Sequence, residues 1–255
     1  MMTDRTNGSL YTHTENHIAT VEFGHPASNS LPSELLQRIA DAFEVLSEDD
    51  NSHVIILKSE GERAFCAGAS FDELVAINNL KEGEQFFSGF ANVINAMRTC
   101  KKPVIGRIQG KTVGGGVGLA SACDYGLATE AAAIKLSELT IGIGPFVIEP
   151  AVSRKIGLAA FEALSWKATD WQNAYWAKEK GLYAQVFKTI QELNKEVQLL
   201  AEKIASYHPD AVQALKKVNW KGTDHWNELL KERAKISGEL VLSEITKQKL
   251  RSFKK

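Results

Sequence analysis

The stretch that decides the fold is residues 102–124, which read K-P-V-I-G-R-I-Q-G-K-T-V-G-G-G-V-G-L-A-S-A-C-D. Residues 104–108 form a short, mostly apolar run after a proline, which is typical of a buried strand. The glycines at 114–116 then open a segment of small residues that suits a helix. We therefore expect a strand, a glycine turn and a helix. The first turn of such a helix leaves backbone N–H groups without internal acceptors.

Three interpretations of this turn compete: a close-packed turn that binds nothing, a phosphate-binding loop, and an oxyanion hole. A phosphate loop of the form G-x-x-x-x-G-K-[ST] would need its first glycine at the position of Ile105, and Gly106 is one position out of register. A dinucleotide-binding motif would need a glycine or alanine at the position of Leu119. The oxyanion hole is the functional interpretation that survives, and it requires a carboxylate nearby.

The composition is that of an ordinary globular protein and argues against several function classes. Of 255 residues, 44% are hydrophobic and 24% are charged. The net charge of −1 argues against a nucleic-acid partner, because a phosphate backbone calls for a basic surface. No apolar run approaches the length of a membrane span, and the first ten residues lack the apolar core of a signal peptide. We therefore expect no membrane partner.

Cysteine and histidine usage indicates neither disulfides nor a metal site. Cys66, Cys100 and Cys123 form no C-x-x-C motif, and their odd number without a secretory leader predicts reduced thiols in the cytoplasm. The six histidines are scattered, without the spacing of a metal site. We expect a cytoplasmic protein without a bound metal.

Apolar periodicity predicts alternating strands and helices over most of the chain, which favours an α/β architecture. We expect strands over residues 10–13, 18–23, 53–58, 104–108, 124–128, 133–136 and 183–187, and helices from Pro32, over 82–100 and over 149–156. Residues 61–70 are expected to form a loop of small residues. Ligands of α/β folds lie at the carboxyl ends of strands, so this loop and the glycine turn are expected to face one crevice.

Beyond residue 187 the pattern changes to amphipathic helices. We therefore divide the chain into a core, residues 1–187, and a helical region, residues 188–255. The lysines around Lys216 are expected on solvated helix faces. Packing on the core or between subunits is expected for a set of large apolar residues in the helical region: Trp220, Trp226, Leu229 and Leu230.

Several motifs occur in a fixed order along nearly the whole chain. They are H-P-A-S-N-S-L-P-S-E-L-L at 25–36, A-F-C-A-G-A-S-F-D-E-L at 64–74, the central glycine segment, K-L-S-E-L-T-I-G-I-G-P-F at 135–146, and Y-H-P-D-A-V-Q-A-L-K-K at 207–217. Together they resemble the crotonase superfamily, the enoyl-CoA hydratases and isomerases. The resemblance implies an α/β fold with a crotonase-like ββα spiral core and a C-terminal helical region, assembled as a homotrimer or a dimer of trimers. It also implies an acyl-CoA thioester as substrate and no separate cofactor.

The resemblance also implies roles for particular residues. It places the oxyanion-hole N–H donors at Ala69 and Gly115 and a catalytic carboxylate at Glu138. Small side chains in both donor segments would let the backbone approach a ligand. Apolar residues around Glu138 would desolvate its carboxylate and raise its pKa: Leu136, Leu139, Ile141, Ile143 and Phe146. The remaining expected substrate contacts are Ala67, Gly68, Gly114 and Phe146.

One departure from the family pattern bears on the expected reaction. Hydratases carry a second glutamate two residues after the glycine triplet, where this chain has Gly118. One carboxylate can remove a proton from C2 and return it at C4, as in the Δ3,Δ2-enoyl-CoA isomerase branch, which Pro145 and Phe146 also resemble. We therefore predict double-bond isomerisation with Glu138 as the base.

Other reactions stay open at this stage. Glu149, at an expected helix start, is either a partner of the helix dipole or a substitute second acid for hydration. Decarboxylation of an acyl thioester needs the oxyanion hole more than a pair of acids. A non-catalytic acyl-CoA-binding role would apply if Glu138 pointed away from the pocket.

Overall fold

The computed structural model describes residues 7–253. The first six residues of the predicted core, and Lys254 and Lys255 of the predicted helical region, lie outside the described residues. The strands are β1 Ser9–Glu15, β2 Ile18–Gly24, β3 Val54–Ser59, β4 Ala64–Cys66, β5 Val104–Ile108, β6 Lys111–Val113, β7 Tyr125–Thr129, β8 Ile134–Lys135 and β9 Gln185–Phe187. The helices are α1 Ser33–Glu48, α2 Phe71–Ala76, α3 Leu80–Thr99, α4 Gly115–Ala122, α5 Glu149–Ile156, α6 Leu158–Trp166, α7 Ala174–Glu179, α8 Ile190–Ala205, α9 Pro209–Asn219, α10 Trp226–Val241 and α11 Glu244–Phe253, with a 3-10 turn at Glu138–Ile141.

The larger sheet has six strands in the order β1-β2-β3-β5-β7-β9. Strand β1 runs antiparallel to β2, and every later neighbour pairs in parallel. The apolar run of β3 is buried on both faces, which is the pattern expected of a parallel strand covered by helices. The predicted strands of this sheet are therefore confirmed.

A second sheet of three short parallel strands, in the order β4-β6-β8, was only partly predicted. Strand β8 lies within the strand expected over residues 133–136. Strand β4 lies inside the expected loop 61–70, so the loop assignment of residues 64–66 was wrong. Three residues are too few to show the alternation that identifies a strand in a sequence.

The helices cover the larger sheet on both sides. Helices α1 and α3 pack with the main apolar core, and α8 covers the other face, where Leu193, Val197 and Ala201 meet residues of the sheet. Helix α10 lies along α3, and Gly83 of α3 meets Gly238 of α10 so closely that a Cβ on Gly83 would lie 2.9 Å from the Gly238 Cα. The helical region therefore packs on the core of its own chain.

The aromatic residues of the helical region are part of that core. Trp220 and Trp226 are 6% and 5% exposed and stack edge to face, and Leu230 is fully buried beside them. Leu229, the fourth large apolar residue predicted to pack, is partly exposed. The sequence left two partners open for these residues, the core or a neighbouring subunit, and the structure packs them on the core. Their apolar surface is used within the chain and is not left over for a neighbouring subunit.

Lys216 corrects the prediction of a solvated lysine face. Its side chain is 4% exposed, and its Nζ lies 3.0 Å from Asp124 Oδ2. The ammonium also donates to the carbonyls of Met97 and Lys102, at 2.9 and 2.7 Å. Trp220 donates its indole N–H to Asp124 Oδ1 at 2.7 Å. Because all of these groups are satisfied, the buried charge of Lys216 anchors α9 to the core.

Candidate active site

The three strands of the smaller sheet each lead into one part of the site. Strand β4 is followed by Ala69 in the A-G-A segment, β6 by the glycine turn, and β8 by Glu138. Strand β6 pairs in parallel with both β4 and β8. Because the carboxyl ends of parallel strands lie at one edge of a sheet, the fold brings these three segments together.

The backbone N–H of Ala69 is free because of the way its segment pairs. Leu31 donates its N–H to the Gly68 carbonyl at 2.8 Å and accepts from the Ser70 N–H at 3.1 Å. This is a parallel bridge between Leu31 and Ala69. In such a bridge the central residue turns its own N–H away from the partner chain. No group among the described residues accepts from the Ala69 N–H.

The N–H of Gly115 is free for a different reason. Gly115 is the first residue of α4, so its N–H has no acceptor inside the helix. The preceding Gly114 has φ +53° and ψ −121°, a conformation that favours glycine. A Cβ on Gly68 would lie 3.8 Å from the Gly115 nitrogen. The two donor segments are therefore in contact, and Ala69 and Gly115 line the same cavity.

The Glu138 carboxylate lies against the glycine turn. Its Oε1 is 2.8 Å from the position that a Cβ would take on Gly114, so any larger residue there would collide with it. Its Oε2 is buried and has no hydrogen-bond partner among the described residues. Burial raises the pKa of Glu138 from 4.5 to about 7, and a hydrogen bond from its own backbone opposes this in part. A carboxyl with that pKa can accept a proton near neutral pH.

The cavity has a volume of about 360 Å³, and its lining is mostly apolar. One wall is aromatic: the ring of Phe90 lies against Gly115, where a Cβ would come within 2.3 Å of Phe90 Cζ. All the predicted donor, base and substrate-contact residues line this cavity: Ala67, Gly68, Ala69, Gly114, Gly115, Glu138 and Phe146. Of the expected desolvating residues, Ile141 and Ile143 line it too, whereas Leu139 is exposed.

Ile148 lines the cavity and was not predicted from the sequence. Its side chain shows why position 118 has no room for the second glutamate of the hydratases. A Cβ on Gly118 would lie 2.5 Å from Ile148 Cγ2 and 2.8 Å from Ile148 Cβ. The isoleucine therefore occupies the space that a side chain at position 118 would need. The two residues are thirty positions apart, and no local pattern connects them. Other lining residues outside the prediction include Phe71, Phe86, Phe87, Phe90, Lys135 and Ser237.

Glu149 does not line the cavity that Glu138 lines. It is the first residue of α5 and is not among the residues that line the cavity. Its Oε2 lies 4.0 Å from Arg233 of α10. Among the described residues, Glu138 is therefore the one glutamate that lines the cavity, although Glu149 directly follows the lining residue Ile148 in the chain.

A base and two free backbone N–H groups therefore lie in the same, mostly apolar cavity. Such groups can stabilise a negative oxygen that develops when a proton leaves the neighbouring carbon. Among residues 7–253, no group of three or more histidine, cysteine or acidic side chains is placed to hold a metal ion. Within the same residues no helix is both long and apolar enough to cross a bilayer.

Comparison with known proteins identifies the family. The model of the family described as enoyl-CoA hydratase/isomerase matches residues 13–254. The short-chain-enoyl-CoA hydratase of Clostridium acetobutylicum is 30% identical over 79% of this chain and 77% of that protein. The 3-hydroxyisobutyryl-CoA hydrolase of Gallus gallus is 32% identical over 71% of this chain, which is half the length of that protein.

The fold agrees with this match. A solved structure titled as an enoyl-CoA hydratase from Bacillus halodurans superposes with a TM-score of 0.88, covering 95% of this chain and 99% of the other at 20% identity. This likeness identifies the crotonase fold with its helical C-terminal region. Because the family match spans nearly the whole chain, the chain belongs to the enoyl-CoA hydratase/isomerase family.

Proposed function

We propose that this protein isomerises the double bond of a 3-enoyl thioester of coenzyme A to the 2-enoyl form, with Glu138 as the base. Glu138 removes a proton from C2, and the electron pair moves toward the thioester carbonyl. The carbonyl oxygen accepts hydrogen bonds from the N–H groups of Ala69 and Gly115 while it carries the developing charge. The Glu138 carboxylic acid returns the proton at C4, and the double bond forms between C2 and C3.

The observation that carries this proposal is the single carboxylate of the cavity. Proton transfer between two carbons needs one group that accepts and returns a proton, whereas hydration also needs a water that is held and split. The side chain that would hold that water is absent at Gly118, and Ile148 fills its place. The raised pKa of Glu138, about 7, suits a base that must release its proton again.

Hydration of a 2-enoyl thioester is the second candidate. It is favoured by the name of the Clostridium acetobutylicum relative, a short-chain-enoyl-CoA hydratase. It would require Glu149 to reach the cavity as the second acid, and Glu149 lies outside the lining beside Arg233. Decarboxylation of a malonyl-type thioester and acyl-CoA binding without chemistry are outcomes that the same assay separates.

The test is an assay of purified protein with 2-enoyl-, 3-enoyl- and malonyl-type thioesters, each on coenzyme A and on a carrier protein. We expect the 3-enoyl-CoA substrate to turn over fastest. Glu138→Gln keeps the shape of the side chain and removes the base, so its rate should fall by about a hundredfold or more.

Glu149→Gln is the matched control, because it makes the same chemical change outside the cavity. It should leave isomerisation unchanged. A wild-type enzyme that hydrates efficiently and loses hydration on Glu149→Gln would make the protein a hydratase. No turnover of any thioester, with binding retained, would favour the non-catalytic role.

A further inference from the structure

A threonine of the last helix reaches back to the turn that carries Glu138. Thr246 of α11 is fully buried, with 0% exposure, and its hydroxyl donates to the Gly142 carbonyl at 3.0 Å. Ser243 donates its own hydroxyl to Thr246 Oγ1 at 3.0 Å. The Thr246 hydroxyl therefore donates one hydrogen bond and accepts another, and these two bonds fix its orientation. The two bonded residues lie 104 positions apart in the sequence.

Gly142 is directly linked to the backbone of Glu138. It ends the 3-10 turn Glu138–Ile141 with φ +91°, a left-handed conformation that favours glycine. The Gly142 N–H donates back into the turn, and the Ile143 N–H donates to the Glu138 carbonyl at 3.2 Å. The position of Gly142 therefore fixes where the turn ends and how Glu138 enters the cavity.

The contact between Gly142 and Thr246 is also sterically tight. A Cβ on Gly142 would lie 2.5 Å from Thr246 Oγ1 and 3.2 Å from Thr246 Cα. Helix α11 thus packs directly on the backbone of the turn. Beside this contact, Leu250 of α11 is buried in one cluster with Ile143 and Phe86, which both line the cavity. Helix α11 supports the turn at two neighbouring points.

From this geometry we propose that Thr246 is a positioning residue, whose hydroxyl holds the Glu138 turn in the register that places the carboxylate in the cavity lined by Ala69 and Gly115. Thr246 does not line the cavity and acts only through Gly142. Its effect on turnover rests on the proposed isomerase function. Its effect on the turn does not.

The experiment compares Thr246→Val, Thr246→Ser and Thr223→Val. Valine keeps the shape of threonine and removes the hydroxyl, and serine keeps the hydroxyl. Thr223 is the matched control, because it is a buried threonine of the helical region whose hydroxyl donates to the Trp220 carbonyl at 2.7 Å. Steady-state kinetics on 3-enoyl-CoA give kcat and KM. Hydrogen exchange of the peptide covering residues 137–143 gives the mobility of the turn without any substrate.

We expect Thr246→Val to lower kcat by roughly ten- to a hundredfold with KM nearly unchanged, since small misplacements of a catalytic group cost rate more than binding. Exchange in residues 137–143 should rise in the same variant. Thr246→Ser should restore both, and Thr223→Val should change neither. If Thr246→Val does not fold, Ser243→Ala, which removes the hydroxyl that donates to Thr246 Oγ1 and accepts from the Thr246 N–H, should raise exchange in the turn by a smaller factor.

Two results would overturn the proposal. One is unchanged exchange over residues 137–143 in whichever of these variants folds. The other is a Thr246→Val enzyme with wild-type kcat. A wild-type protein that turns over no thioester would instead refute the proposed function, and the exchange measurement would then decide the role of Thr246 alone.

Discussion

The Glu138 carboxylate is buried and has no compensating charge beside it. Both features follow from its position against the glycine turn in a mostly apolar cavity. No cation among the described residues pairs with it. Desolvation therefore dominates, and the pKa rises to about 7. The fold stabilises the protonated carboxylic acid, and catalysis by a base requires the ionised form. Activity and stability should consequently depend on pH in opposite directions.

The effect of Glu138 on the free energy of unfolding can be measured by comparing the wild type with Glu138→Gln. The folded pKa of about 7 lies above the ordinary value of 4.5, so the folded state binds the proton more tightly than the unfolded state. Ionisation of Glu138 therefore destabilises the folded state. This loss of stability is absent below pH 4.5, grows between pH 4.5 and 7, and is complete above pH 7. Each unit of difference between the folded and unfolded pKa corresponds to about 1.4 kcal/mol, so the full loss of stability is on the order of 3 kcal/mol. Glutamine carries no charge, so the variant should exceed the wild type in free energy of unfolding at pH 8 by about that amount.

Urea unfolding at pH 8 and pH 5 checks the prediction, and the advantage of Glu138→Gln should shrink strongly at pH 5. In the wild type, kcat/KM should rise with pH through about 7. Glu149→Gln serves again as the control, because its carboxylate lies outside the cavity. Equal stability gains for both variants at pH 8 would show that burial of Glu138 is not the cause.

For individual residues, the sequence predicted much of the site. The residue types around Glu138 indicated desolvation, and Ile141, Ile143 and Phe146 do line the cavity. Leu139 was included wrongly, because a 3-10 turn directs consecutive side chains to different sides and leaves this one exposed. The aromatic wall was missed since Phe90 belongs to a helix whose apolar pattern indicates core packing as readily as a pocket.

The packing of α4 on α5 decides how many acids the cavity holds. Gly118 lies in α4, and Ile148 is the N-cap residue of α5. The sequence identified Gly118 as the position of a missing acid, and a glutamate there would need room for its side chain. The structure shows that Ile148 takes this room, so Gly118→Glu alone should destabilise the protein by overpacking, typically by 1–3 kcal/mol.

A double substitution should supply the second acid. Alanine at 148 would not be enough, because the Cβ of Ile148 itself would lie 2.8 Å from a Cβ at position 118. Gly118→Glu combined with Ile148→Gly removes that conflict and places a carboxylate where Ile148 now lines the cavity. We expect the ratio of hydration to isomerisation to rise by about tenfold or more, a modest share of what a positioned acid–base group contributes. Kinetics with 2-enoyl- and 3-enoyl-CoA measure the ratio.

Ile148→Gly alone is the control, because it opens the same space without adding an acid. It should lower the rates of both reactions without changing their ratio. A double variant that is well folded and still hydrates no faster than this control would contradict the assignment of position 118 as the missing acid.

For the whole molecule, periodicity predicted the larger sheet and the helices around it, because long apolar runs carry a clear signal. Periodicity did not predict which segments of the chain pack against one another. The sequence identified Trp220 and Trp226 as apolar surface in need of a partner, and the partner is the core of the same chain. It placed Lys216 on a solvated face, and the fold buries it against Asp124. Contacts between distant segments decide both points, and no local pattern records them.

The prediction of a trimer or hexamer must therefore rest on another surface. Residues 158–175 expose four large apolar side chains, and Trp166 is the most exposed of them at 77%. Aromatic side chains are enriched in subunit interfaces, and three of these four exposed residues are aromatic. The 3-10 turn that carries Glu138 contacts α6, so an interface here would lie next to the site. Its expected set of anchoring residues is Leu158, Trp166, Trp171 and Tyr175.

Light scattering should give three or six times the chain mass of 28.0 kDa at micromolar concentration. Trp166→Glu should lower that mass, because a buried charge without a partner opposes association. Val45→Glu adds the same charge at an exposed apolar position of α1, a helix that packs against α3, β1 and β2, and should leave the assembly intact. A wild-type mass of 28.0 kDa would refute the assembly itself. An oligomer that Trp166→Glu leaves unchanged would place its interface elsewhere on the molecule.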